Sequence, residues 1–148
     1  MSDKTKLIGE FGEWIDFVAS IQNVDWQTPL GQGKWAIHDV VSHIMLWDKS
    51  FYEEVIEPIA NHQPVTQQEF DFDAFNNQAI QYGKQKTKDE LIQLSLHYRN
   101  LILNCIKNLD AAQYGHTYLD GKFTFESYLK DFIWHDQHHM NQIKELIK

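Results

Sequence analysis

The run Phe132-Ile133-Trp134-His135-Asp136-Gln137-His138-His139-Met140-Asn141-Gln142-Ile143 decides how this chain is read. His135 and His139 stand four positions apart, one turn of an α-helix, so their imidazoles share a face. Tyr128, Phe132, Gln142 and Leu146 fall on the same stripe, with Leu129, Ile133, Met140, Ile143 and Ile147 beside it. The spacing predicts an amphipathic last helix, opened by Thr124 as N-cap and running to the C-terminus, with this stripe packed inward. Two imidazoles against an apolar interior are costly to desolvate unless something satisfies them. A shared metal ion would do so.

The same period recurs upstream. Leu7, Phe11, Trp14, Ile15, Val18 and Ile21 predict a helix over residues 4–21, followed by a loop over 22–34 with Pro29, Gly31 and Gly33 as breakers. A second helix starts near Ile37 and carries Val40, Val41, Ile44, Trp47, Phe51 and Val55. It is expected to end around Glu57, because the residue before Pro58 is pushed away from helix. Residues 61–69 read as a polar loop, and 70–82 admit a short helix ending at Gly83. Thr87-Lys88-Asp89-Glu90 matches a capping box and opens a third long helix through Leu91, Leu94, Tyr98, Leu101, Ile102, Cys105, Ile106 and Leu109. Residues 110–122, with Gly115 and Gly121, read as a connection. Four long amphipathic helices and no strand-length alternation predict an all-α four-helix bundle, with residues 1–148 as a single domain.

Composition narrows the partners. The chain has 148 residues, 43% of them hydrophobic and 23% charged, which suits a soluble globular domain with a real core. A net charge of −8 without any Lys/Arg cluster argues against nucleic acid. No apolar run approaches the roughly 18 residues of a membrane span. The start, Met1-Ser2-Asp3-Lys4-Thr5-Lys6, lacks the organisation of a signal peptide. Cys105, the single cysteine, excludes an intrachain disulfide and fits a reducing compartment, so a cytoplasmic location is expected. It falls on the apolar face of the third long helix and is expected to pack in the core.

Two histidines on one helix need a third ligand for a mononuclear site. His43, three residues after Val40 and four before Trp47, flanks the stripe of the second helix and is the best candidate. Helices pack roughly 8–10 Å apart, a gap that inward imidazoles bridge through a metal. Without a metal, a lone core histidine is simply a hydrogen-bonded one. His138 lies off the stripe beside Trp134 and Asn141, and His38, His62, His97 and His116 are expected to be mostly solvated. The sequence His135-Asp136-Gln137-His138-His139 also approximates the H-E-x-x-H helix of zinc proteases. Asp136 is one methylene shorter than the Glu that activates water there, and little chain follows to supply another ligand, so that reading is the weaker one.

The segment Trp26…Pro29…Gly33-Lys34-Trp35-Ala36-Ile37-His38-Asp39-Val40-Val41-Ser42-His43-Ile44…Trp47, with the final H-x-x-x-H helix, resembles the DinB-like superfamily of DNA-damage-inducible proteins and thiol-dependent transferases. The resemblance implies His43, His135 and His139 as metal ligands, with Gln142 at the position of the family's glutamine. Asn141 departs from the glycine that many relatives carry before it. The resemblance further implies an up-down-down-up bundle, a zinc or nickel ion, a low-molecular-weight thiol cosubstrate and a homodimer. On residue type alone, three neutral imidazoles suit Zn²⁺ or Ni²⁺, and Asp39, Asp136, His138 and Gln142 are candidates to orient a ligand ring. Trp35, Trp47 and Trp134 flank the motifs and are candidate pocket walls. The function expected is a metal-dependent enzyme transferring a small thiol to, or hydrolysing, a small electrophile. A non-catalytic metal-binding or small-molecule-sequestering stress protein is the alternative, and a bundle with structural histidines and an interaction role is a third.

Overall fold

In the computed structural model, residues 3–63, 65, 72–118, 121 and 124–147 are described. The chain forms α1 (Asp3–Ser20), α2 (Ile37–Phe51), a π-helical turn (Tyr52–Ile56), α3 (Glu57–Ala60), α4 (Phe72–Lys84), α5 (Lys88–Asn108), α6 (Ala111–Gly115) and α7 (Phe125–Leu146). The four long helices α1, α2, α5 and α7 make a bundle in which α1 packs on α5 and α7, and α2 packs on α5 and α4 and touches α7. Among the described residues there is no strand, and an antiparallel bridge joins Pro29 to Ala36 in the loop before α2. No helix among them is long and apolar enough to cross a membrane.

The helix starts follow their capping residues. Thr87 accepts a hydrogen bond from the Glu90 N–H at 3.1 Å, and the Glu90 carboxylate accepts from the Thr87 N–H at 2.9 Å. Thr124 caps α7 by accepting from the Ser127 N–H at 3.0 Å. At α2 the Asp39 carboxylate accepts from the Ala36 N–H at 3.1 Å. The loop before α2 is pinned by Trp26, which is buried and donates its indole N–H to the Ile21 carbonyl at 2.9 Å.

Three elements differ from the sequence expectation. The helical path of α2 does not stop before Pro58. The π turn takes up one extra residue, with the Glu57 N–H donating to the Tyr52 carbonyl, and Pro58 then sits in the first turn of α3, where no N–H is required. Residues 72–84 form a full helix whose buried face is Phe75, Ala79 and Gly83, too sparse to register as an apolar period. Asp110, read as part of a connection, caps the short α6 by accepting from the Gln113 N–H at 2.7 Å.

Helix α4 lies against α2 without room for a side chain between them. A Cβ on Gly83 would overlap the Ser42 side chain. The Ser42 hydroxyl donates to the Ala79 carbonyl at 2.6 Å, and His38 Nε2 lies 2.7 Å from the Gly83 carbonyl. His38, expected in solvent, is therefore buried, because the α4 backbone offers it an acceptor.

One arginine ties the bundle together. Arg99 of α5, the sole arginine of the sequence, is fully buried. Its guanidinium bonds Asp48 of α2 through Nε (2.8 Å) and Nη2 (3.2 Å), and Asp136 of α7 through Nη1 (2.7 Å). Nη1 also donates to the Phe11 carbonyl of α1 at 2.9 Å, and the guanidinium carbon lies 3.8 Å from the centre of the Phe11 ring. Four helices thus meet on one side chain, a bidentate geometry that lysine cannot reproduce.

Candidate metal centre

His43 projects from α2, and His135 and His139 project from α7 one turn apart. One ligand atom from each falls within 4.8 Å of the other two. The ring centroids lie 5.4 Å apart for His43 and His135, 6.1 Å for His43 and His139, and 4.6 Å for His135 and His139. The centre is at the margin of the core rather than within it. His43 is buried, whereas His135 and His139 are half-buried, and the deeply buried line of α7 runs through Leu129, Ile133, Asp136, Met140 and Ile143. The stripe expectation is corrected by about one residue of helix rotation: Phe132, His135 and His139 border an opening instead of the interior.

The electrostatics keep these rings neutral. Burial, and then the neighbouring His135 and His139, pull His43 down to about 4, with the Asn76 amide opposing. Burial and His135 bring His139 to about 4, against Gln142 and Asp136. His135 is lowered by burial, His138 and Arg99. Neutral imidazole is the form that coordinates a metal.

The donor set passes a further test of fit. Nδ1 of His43 and Nδ1 of His135 are buried and have no hydrogen-bond partner among the described residues. Nδ1 of His139 faces Gln142 Oε1 at 3.0 Å, which holds the ring proton there and leaves Nε2 with its lone pair. Convergent, neutral and partly orphaned nitrogens suit a divalent transition metal, and three protein ligands leave coordination positions open.

The other sequence candidates sort by contact. Gln142 touches a ligand ring. Asp39 does not; its carboxylate is occupied as the cap of α2. Asp136 is buried rather than solvated; Arg99 holds its Oδ2, and its Oδ1 has no hydrogen-bond partner among the described residues. Burial pushes the Asp136 and Asp48 carboxyls upward, against the pull of Arg99. His138 is exposed and stacks on Trp134, with ring centroids 5.5 Å apart and planes 6° apart. Trp35, half-buried, lies 5.3 Å from the His43 ring. Cys105 is half-buried and packs against the apolar cluster of Ile102, Ile106 and Leu109, with its thiol pushed up by burial.

A cavity of about 520 Å³ adjoins the histidines and is lined by His43, His135, Trp47, Phe132, Trp134 and Phe72, with Asn76 and Asp131 completing it. Trp47 and Trp134 are thus wall residues. Phe72, Asn76 and Asp131 were not singled out in the sequence, because α4 carries no motif and Asp131 reads as an ordinary surface carboxylate.

The chain is an all-helical bundle whose second and last long helices bring together three histidines that could hold a metal ion. The sequence profile of the DinB superfamily matches residues 12–143, and the chain belongs to that superfamily. Its fold is similar to that of YfiT from Bacillus subtilis, with a TM-score of 0.75 at 20% identity over 99% of this chain and 87% of that one. YfiT is described as a "probable metal-dependent hydrolase with an unusual four-helix bundle topology". No curated protein matches the chain by sequence.

Proposed function

We propose that this protein is a metal-dependent enzyme of the DinB superfamily that hydrolyses a small electrophile or transfers a low-molecular-weight thiol to it. The observation that carries the reading is the convergence of His43, His135 and His139, one donor atom each within 4.8 Å, beside an open cavity. The description of YfiT as metal-dependent lends support from a similar fold. A bound Zn²⁺ or Ni²⁺ would supply Lewis acidity and favour the deprotonated form of a water or thiol nucleophile. His43, His135 and His139 would hold the ion, and Gln142 would fix the tautomer of His139. Trp47, Phe132 and Trp134 would seat the substrate and thin the water around the reacting group. Cys105, half-buried on α5 away from the cavity with a raised pKa, is not suited to act as the nucleophile.

Purified protein is expected to carry or take up one divalent transition ion per chain, and His43→Ala, His135→Ala and His139→Ala each to lose it. Metal content unchanged in all three variants would end the proposal. Conjugation and hydrolysis assays on the metal-loaded protein, with a panel of thiols and electrophiles, separate an enzyme from a sequestering protein. Sequestration is the case if substrates bind without turnover.

A further inference from the structure

The cavity has a chemical character that three histidines do not account for. Trp47 lies nearly parallel to Phe72 (ring centroids 5.8 Å, planes 15° apart) and to Phe132 (5.3 Å, 24°). Phe132 stacks in turn on Tyr128 at 4.4 Å, and Tyr128 on Phe51 at 3.6 Å, so a series of aromatic planes leads from the cavity wall into the buried core. Planes braced in this way cannot rotate freely, and they present flat, rigid faces.

At the mouth two aromatic side chains reach solvent. Phe72 is 62% exposed and Trp134 69%, and among the described large apolar side chains only Ile147 is also exposed. Two of these three exposed groups therefore border one cavity, and exposed aromatic surface gathered in this way marks a binding site. Among the described lining residues no lysine or arginine is present, and the one charged group is the exposed Asp131 carboxylate. The volume of about 520 Å³ falls within the usual range for small-molecule sites.

Building on the proposed function, we infer that the substrate carries a flat aromatic body, packed against the exposed Phe72 and Trp134 rings at the cavity mouth, with its reactive polar group turned toward His43 and His135. Rigid, exposed aromatic rings select a planar π-system over an aliphatic group of equal volume, through ring–ring attraction added to simple burial. The concave surface is continuous with the histidine cluster, which favours a small molecule over a second copy of the chain.

The test uses protein whose metal content has been measured. Binding of a naphthyl carboxamide is compared by calorimetry with that of its saturated, decalin-based analogue. The aromatic amide is expected to bind at least about tenfold more tightly. Trp134→Ala and Phe72→Ala, at exposed positions where folding is little affected, are each expected to weaken it about tenfold while metal content stays at the wild-type level. Equal affinity for the saturated analogue, or unchanged affinity in both variants, overturns the inference. So does a change of sedimentation from dimer to monomer in Trp134→Ala with probe affinity intact, which would assign the face to a second copy. Failure to bind metal counts against the proposed function instead and is read independently on the same samples.

Discussion

Replacing Arg99 with methionine should destabilise this bundle more than almost any other single change. The side chain is completely buried, and its guanidinium is shared by Asp48, Asp136 and the Phe11 carbonyl. Methionine fills much of the volume but strands two buried carboxyls without their cation. Breaking a buried ion pair from one side costs about 3–5 kcal/mol, because the remaining charge is left uncompensated. For a chain of this length each kcal/mol lowers Tm by roughly 2–4 °C, so a fall of about 10–15 °C is expected. Asp48→Asn should cost less than half as much, since one guanidinium already faces two carboxylates and the amide oxygen can still accept from Nε. The triple change Arg99→Met, Asp48→Leu, Asp136→Leu should recover most of the loss, because an apolar replacement leaves nothing to desolvate. Urea unfolding followed by circular dichroism gives all three numbers. A loss below about 1 kcal/mol for Arg99→Met, or a triple variant no better than the single, would refute the reasoning.

Further predictions concern the site and the α2–α4 seam. Gln142→Ala frees the His139 ring and should weaken metal binding by roughly 10–100-fold in a chelator competition, and an unchanged affinity would remove Gln142 from the site. In metal-free protein His43 titrates near 4, below its unfolded value of 6.5, so the unfolded chain takes up the proton first. Stability from this group is therefore complete above about pH 6.5 and is lost as pH falls toward about 4, by roughly 2–3 kcal/mol. Urea midpoints at about pH 7 and about pH 5 should show a fall, and His43→Phe should reduce it to the part that His139 and His135 contribute. Gly83→Ala drives a Cβ into Ser42 and should cost about 1–3 kcal/mol, with Ser42→Gly in the same chain restoring part of it.

The long helices were legible because each carries a sustained apolar period and two of them begin at a threonine cap. The histidine constellation was legible for a related reason: His135 and His139 occupy one face, and His43 occupies the matching flank of α2. What the residues could not announce depends on partners distant in the chain. Helix α4 buries only Phe75, Ala79 and Gly83, and its fit rests on the absence of a Cβ at one position. The Arg99 cluster left a fainter trace. Arg99, Asp48 and Asp136 each sit on a buried stripe, between Ser95 and Ile102, Ile44 and Phe51, and Ile133 and Met140 respectively. Three charges at apolar positions, one of them the sole arginine, were a readable anomaly. Asp136, flanked by His135 and His138 in the sequence, reads instead as a carboxylate that orients a ligand ring. Phe72 escaped notice because it lies at the first position of a helix with no motif, and its role at the cavity mouth comes from where α4 docks.

The π turn at Tyr52–Ile56 has a consequence for how this chain tolerates changes in length. A π turn is one residue more than an α-helical path requires, so it acts as an absorbed insertion. Upstream, His43, Trp47 and Asp48 keep the register that faces the site and Arg99. Within the turn Val55 and Ile56 are buried, and downstream so is Ile59. Deleting one residue inside the turn would restore a regular helix and leave Ile59 close to its present face, whereas the same deletion in a regular turn of α2 would rotate everything beyond it by about 100°. The chain can therefore give up a residue inside the bulge with His43 and Ile59 both kept in place, but not one from the regular turns between His43 and Phe51.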